Sequence, residues 1–415
     1  MAQIDVPDTM WALRLYGTGM QSVGLQEVEV PRPDPDQVLC RVECAAACAS
    51  DSNIIDQGAE HSLMHGWDPA RWPVTLGHEG CVTAVQVGRN WEDKIRVGAR
   101  YAVQPAVPSA PSRHRHRYAR EARGIRKIAI GYTLPGLFAE YVVIDPEVIG
   151  CSCLVPLPEG SLPQYAVALS EPISCVVAAQ QHTVHVVKES PDTPRRAHLG
   201  LLPGGTTLVL GAGPMGLWHI EIAMSYRPAT IIVSEPNDMR REKARRFFDQ
   251  RAREAGISLM LTTPDALPHV IADVTGGRGV DDCIVAVGIK AVQEQSFNYL
   301  GPGGVTNFFG GVQADDRMIQ VDARRIHYDS ISVVGSSGSD PSDIAETLEL
   351  IANNTIRPGN YVAAVGGLDA ARDLLEAVRA QRLDGKGIIY PSLRRPLTQV
   401  EGWSAQQEQE LLAAG

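Results

Sequence analysis

The sequence predicts an α/β protein in two parts, a β-rich first region followed by a doubly wound parallel sheet. Three observations carry this. Residues 1–105 hold short β-branched runs broken by Gly, Pro and Asp, the pattern of hairpins and barrels. From Thr206 onward, strand-like and helix-like runs alternate, as in parallel sheets built from strand–helix–strand units. A Gly-rich turn, Gly211 to Gly216, sits at the first such junction.

In the first region Val38–Val42, Cys81–Val87, Ala99–Val103 and, after Gly136, Phe138–Ile144 are predicted strands. Between the last two lies Arg113–Lys127, with seven Lys/Arg and two His against one Glu. In the second region TTLVL (206–210) is a buried strand, Met215–Tyr226 a helix, and TIIVS (230–234) the next strand. The apolar runs Ile284–Val287 and Ile331–Val334, with GPGGVTNFFGG (301–311) between them, continue the alternation. Asp340-Pro341 reads as a helix start, Asp capping and Pro in the first turn. Ile344, Leu348 and Ile351 give that helix its apolar face. The last twenty residues, polar and rich in Gln and Glu, read as a loosely held tail. The expected domains are 1–177, 178–340, and a return segment 341–415 that rejoins the first.

Composition excludes several classes. Of 415 residues 44% are hydrophobic and 21% charged, close to the globular average, so a disordered, collagenous or coiled-coil chain is excluded. Six Phe residues leave the cores to aliphatic side chains. The net charge of −10 argues against a general nucleic-acid binder, which needs a basic footprint. No apolar run approaches the ~18 residues of a membrane span. The segment Met1–Trp11 carries two aspartates and no basic stretch before an apolar one, so no secretory signal is expected. A cytoplasmic location is the expectation. Eight cysteines are too sparse for a disulfide scaffold.

Gly211-Ala212-Gly213-Pro214-Met215-Gly216 fits G-x-G-x-x-G, follows a predicted strand, opens a helix, and precedes Glu235 at the end of the next strand. Each part has a mechanical reason. Gly211 permits the tight turn, Gly213 lets the backbone approach a pyrophosphate, and Gly216 lets helix and strand pack closely. The helix N-terminus beyond, at Pro214 and Met215, offers free N–H groups to phosphates. Glu235 is positioned to accept hydrogen bonds from ribose hydroxyls and to repel a 2′-phosphate, so NAD is expected ahead of NADP. Arg240 pulls the other way, as a nearby Arg accommodates a 2′-phosphate, or else it bonds the ribose.

Cys48-Ala-Ser50-Asp51, then Gly77-His78-Glu79-Gly80, then Ser170-Glu171-Pro172 supply a thiolate, an imidazole and carboxylates, a plausible zinc set. Such separations are no local metal motif. The residues alone leave open that Cys48 is simply buried, His78 a satisfied turn histidine, and Glu79 a solvated carboxylate.

In this order and spacing, Cys-x-Ser-Asp, Gly-His-Glu-Gly, Glu-Pro-Ile-Ser and GAGPMG resemble the zinc-dependent medium-chain dehydrogenases. Within them the chain is similar to the polyol, sorbitol-dehydrogenase-like branch, and most to proteins of the L-sorbose-1-phosphate reductase type. LRLYG (13–17), DQGAEH (56–61), SEPISCVVAA (170–179) and NFFGG (307–311) carry that finer likeness, with the long segment between Glu171 and the glycines. It covers about residues 10–392. The resemblance implies a GroES-like catalytic domain holding zinc and substrate, and a Rossmann domain inserted before the chain returns. It makes Cys48 and His78 zinc ligands, with Glu79 and Glu171 as further ligands or exchanging partners. Ser50 would hydrogen-bond the substrate oxygen and start a proton relay, and Asp51 would fix His78 by accepting its other N–H.

Three departures qualify the likeness. The family's lobe of four close cysteines is absent, so one catalytic zinc and no structural zinc is expected. Asn53 stands where many members place a relay histidine, leaving water, His61 or His65 to end the relay. The Arg/His-rich stretch 113–127 lies where the lobe would be, readable as a solvated loop, a subunit contact, or a site gathering a phosphate-bearing substrate.

The implied chemistry is hydride transfer between NAD(H) and a secondary hydroxyl or ketone, with zinc as Lewis acid at the substrate oxygen. The implied substrate is a polyol, sugar or sugar phosphate, and the implied assembly a homodimer or homotetramer. Two other readings stay open, a zinc-free NADPH-dependent reductase of activated double bonds, and a non-enzymatic binding protein on the same fold.

Overall fold

The computed structural model describes residues 5–160, 162–312 and 316–414. Residues 1–4, where the N-terminal segment begins, lie outside the described residues. The chain divides into two compact units, one of residues 1–174 with 339–415, the other of residues 175–338. The divisions therefore fall at Ser174/Cys175 and Gly338/Ser339, a few residues from 177 and 340. The segment after 340 belongs to the first unit.

The first unit is organised by three strands. Val38–Ala46 lies between Glu79–Val87 and Lys386–Tyr390 and is antiparallel to both. Nearly every residue of the three is buried, which is why they read as continuous apolar runs rather than alternating ones. Arg100–Val103 and Leu154–Pro156 extend this sheet on one side, and Val362–Gly367 and Thr398–Gln399 on the other. The predicted strand at Phe138 begins later, at Tyr141–Ile144, because Phe138 instead bonds the backbones of Leu13 and Leu76. The core beneath is aliphatic, with Leu13, Leu15, Ile54, Ile55, Met64 and Leu76 fully buried. The helix Pro341–Ala352 starts with Asp340 as cap and buries Ile344, Leu348 and Ile351.

The tail corrects the sequence reading. Ala405–Ala413 is a helix capped by Ser404, and its Glu408 is buried. The Glu408 carboxylate accepts hydrogen bonds from the backbone N–H groups of Gln164 (2.8 Å) and Tyr165 (2.9 Å) and from the Tyr390 hydroxyl (2.8 Å). One carboxylate thus ties an otherwise polar segment to the unit, which a composition count cannot show.

The second unit is a six-stranded parallel sheet. Its order is Ser258–Thr262, Thr230–Ser234, Thr206–Leu210, Val280–Val285, Leu300–Phe308, Ser332–Gly335. In sequence terms this is 3-2-1-4-5-6, the Rossmann order. Its ligand crevice opens beyond the strand ends where the order reverses, here between Thr206–Leu210 and Val280–Val285. The long segment before the glycines holds a hairpin, Val184–Val187 with Arg196–Leu199. Its buried His185 bonds Asp282 at 2.7 Å. No helix among the described residues is long and apolar enough to cross a membrane.

Candidate metal and dinucleotide sites

The register of the central strands assembles the metal cluster. Ala46 pairs with Glu79, so the end of one strand meets the start of the other. Cys48 follows two residues later as the N-cap of the helix Ala49–Gln57. Ile388 also pairs with Ala46, which brings Lys386 to the same end. His78 precedes its strand after Gly77, whose φ is +91° and whose added Cβ would lie 2.8 Å from Phe138 N. Only glycine fits that turn.

Ligand atoms of Cys48, His78 and Glu79 lie within 4.8 Å of one another. Asp51, 1% exposed, serves both halves of the cluster. Its Oδ2 accepts from the Cys48 N–H at 3.0 Å, and its Oδ1 lies 3.1 Å from His78 Nδ1. That bond leaves Nε2 of a neutral His78 as the lone-pair nitrogen. Burial opposes charge on His78, but Asp51 and Cys48 together raise its pKa well above the ordinary value. Ser50 Oγ is 3.5 Å from Cys48 Sγ. Glu171, buried in the first turn of Ser170–Gln181, has its pKa pushed up to about 7 by burial and then by the Glu79 charge. A thiolate, an imidazole and a carboxylate at this separation suit zinc.

Sequence reasoning missed Lys386. Its Nζ is 2.7 Å from Glu79 Oε1, and both side chains are buried. Burial lowers the Lys386 pKa, yet the Glu79 charge raises it on balance. A lysine opening the buried run KGIIY was the available signal, since a lone charge there needs a partner. Of the two histidines offered as ends of the relay, His65 has its Nε2 2.8 Å from Lys127 O. His61 stacks on Tyr132, ring centroids 5.2 Å apart, and Tyr132 lies 6.0 Å from His78. Asn53 is exposed.

The stretch Arg113–Lys127 is partly packed onto its own unit rather than freely solvated. Arg113 pairs with Asp34 (2.7 Å), Asp36 and Asp145. Arg117 lies over the rings of Trp67 (5.1 Å) and Trp72 (6.0 Å), and Tyr118 and Ala122 are buried. Arg115 bonds the Glu121 carbonyl, and Arg115, Arg120, Arg123, Arg126 and Lys127 are exposed.

In the second unit the glycine turn has the geometry its spacing implies. Gly211, at φ +102°, ends its strand, and an added Cβ would lie 2.6 Å from Val287. A Cβ on Gly216 would lie 2.1 Å from Gly211 O, the close packing the third glycine allows. A Cβ on Gly213 would meet nothing within 4 Å, so the backbone is open at the N-terminus of Pro214–Ala223. Met215 lies in the first turn of that helix. Glu235, 3% exposed, accepts from Ala212 N (2.8 Å) and Asn237 N (2.9 Å). It thus pins the glycine turn to the turn after the second strand. Arg240 is half-buried in the first turn of Asp238–Glu254.

Known proteins resemble both units. Residues 34–159 match the alcohol dehydrogenase GroES-like domain, and residues 214–353 the zinc-binding dehydrogenase domain. The chain is 29% identical to the mannitol-1-phosphate 5-dehydrogenase of Aliivibrio fischeri, over 94% of this chain and 89% of that one. It is 29% identical to the L-sorbose 1-phosphate reductase of Klebsiella pneumoniae, over 94% and 90%. In fold it is similar to the 2R,3R-butanediol dehydrogenase of Bacillus subtilis (TM-score 0.71, 24% identity, 92% and 99% covered). A zinc-binding dehydrogenase of Sinorhizobium meliloti, solved with NADP, matches at TM-score 0.70 (23% identity, 93% and 100% covered).

Proposed function

We propose, from the premise that the chain belongs to the zinc-dependent medium-chain dehydrogenases, that it moves a hydride between NAD(H) and a secondary hydroxyl of a polyol, sugar or sugar phosphate. The relatives named for mannitol 1-phosphate, sorbose 1-phosphate and sorbitol support that substrate class. The observation that carries the reading is the convergence of Cys48, His78 and Glu79 within 4.8 Å.

One zinc would be held by Cys48 and His78, with Glu79 or Glu171 completing the set. When bound, the metal supplies Lewis acidity at the substrate oxygen. The chain's own residues do the rest. Asp51 holds the His78 tautomer, and Ser50 takes up the proton leaving the substrate hydroxyl as it releases its own toward water, His61 or His65. Lys386, 2.7 Å from Glu79, compensates its buried charge. The Gly211–Gly216 turn seats the pyrophosphate, and Glu235 favours NAD by facing the adenosine ribose with a negative charge.

The test is metal analysis of the purified protein, followed by turnover of polyols, ketoses and their phosphates with NAD(H) and NADP(H). About one zinc per chain and NAD-dependent polyol oxidation are expected. Full activity in metal-free protein sinks the assignment.

A further inference from the structure

Tyr132 sits in a tight turn that the fold locks against the metal cluster. The turn is closed by Gly131 N to Leu134 O (3.1 Å), Leu134 N to Ala129 O (3.1 Å) and Tyr132 N to Ala129 O (3.3 Å). Gly131 has φ +80°, and a Cβ there would stand 2.6 Å from Gly77 O and 3.2 Å from His78 Cβ. Two glycines far apart in sequence therefore press the Tyr132 turn onto the backbone that presents His78. The phenol ring is held between imidazoles, 6.0 Å from His78 and 5.2 Å from His61.

Tyr132 is 6% exposed, and its hydroxyl has no hydrogen-bond partner among the described residues. A hydroxyl used by no described residue thus sits on a turn that is packed against the backbone presenting His78. A donor so situated costs free energy when a substrate covers it without bonding it.

We infer that the Tyr132 hydroxyl binds a second hydroxyl of the substrate, on the carbon next to the reacting one, and selects vicinal diols over monohydric alcohols. This rests on the dehydrogenase reading and adds the residue that makes it a polyol reading. Ser50 meets the reacting oxygen beside Cys48, and Tyr132 meets its neighbour. A neutral hydrogen bond in a partly wet site contributes about 1 kcal/mol, so the discrimination it supplies is roughly five- to tenfold.

The experiment compares zinc-loaded wild type with Tyr132→Phe, using 2,3-butanediol and 2-butanol as probes. For the variant, kcat/KM for the diol should fall about five- to tenfold, mostly through KM. That for 2-butanol should change less than about twofold, with zinc content and thermal stability unchanged. Binding of the diol to the enzyme–NADH complex, where no turnover occurs, should weaken by the same factor in calorimetry. Equal losses for both probes, or unchanged diol binding, overturn the inference. A wild type that binds the diol but turns over no alcohol refutes the dehydrogenase reading instead, and the calorimetric comparison still decides Tyr132.

Discussion

The two candidate sites differ in how far apart their parts lie along the chain. The glycine turn and its carboxylate run from Gly211 to Glu235, joined by one strand–helix–strand unit. The candidate metal cluster draws on Cys48, His78 and Glu79, with Lys386 from near the other end of the chain and Glu171 close enough to feel the Glu79 charge. In the first case local backbone conformation makes the site, because helix start, tight turn and strand end are each set by neighbouring residues. In the second, strand register makes it. Ala46 must pair with both Glu79 and Ile388 before the side chains meet. A slip of one residue would turn Glu79 to the other face.

That contrast can be broken first at the ligands. Cys48→Ser or His78→Ala should remove the metal and cut turnover by more than about 100-fold, read by metal analysis and steady-state kinetics. NAD(H) affinity should stay within about twofold, since effects at separate sites are close to additive. Joint loss of metal and cofactor binding would mean that the sites are not independent.

The next effect lies in the register-made ion pair. Lys386→Met leaves the Glu79 charge buried alone and should cost about 3–5 kcal/mol in chemical unfolding. Adding Glu79→Gln should recover most of that loss. A single variant as stable as wild type would show that the pair is dispensable to the fold.

At the local site the expected changes are smaller. Glu235→Ala strips the acceptor from Ala212 N and Asn237 N, at about 1–3 kcal/mol of stability. It should also reduce the NAD-over-NADP ratio of kcat/KM about tenfold, or 1.4 kcal/mol. Glu235→Gln keeps one acceptor, so it should lose discrimination with less loss of stability. A wild type preferring NADP would refute the role given to this carboxylate.

The smallest effect is a pH dependence in the second unit. Burial opposes charge on His185, but the Asp282 hydrogen bond and charge raise its pKa above the ordinary 6.5. A pKa raised on folding stabilises fully below the unfolded value, and the benefit is lost as pH rises through the folded value. The stability gap between wild type and His185→Asn should therefore narrow on going from mildly acid to mildly alkaline solution. A gap that widens would reverse the sign.

Features dictated by short-range chemistry were readable from the residues alone. The strand at 206–210, the turn at Gly211 and the capped helix at Pro341 were legible because residue type and spacing constrain the backbone directly, whereas the partnership of Cys48, His78 and Asp51 came only with the family likeness. The family likeness supplied the order in which the distant motifs belong together. Which charges meet was settled only by the folded chain. Lys386 is about 300 residues from Glu79, and nothing local marks the two as partners. Glu408 belongs by composition to a solvated tail, but the fold aims the backbone N–H groups of Gln164 and Tyr165 at its carboxylate. Arg113 and Arg117 looked like members of one basic run, yet one is neutralised by three aspartates and the other rests on two indoles. Composition reports how much charge a segment carries, whereas burial and pairing depend on which surface the rest of the chain folds against it.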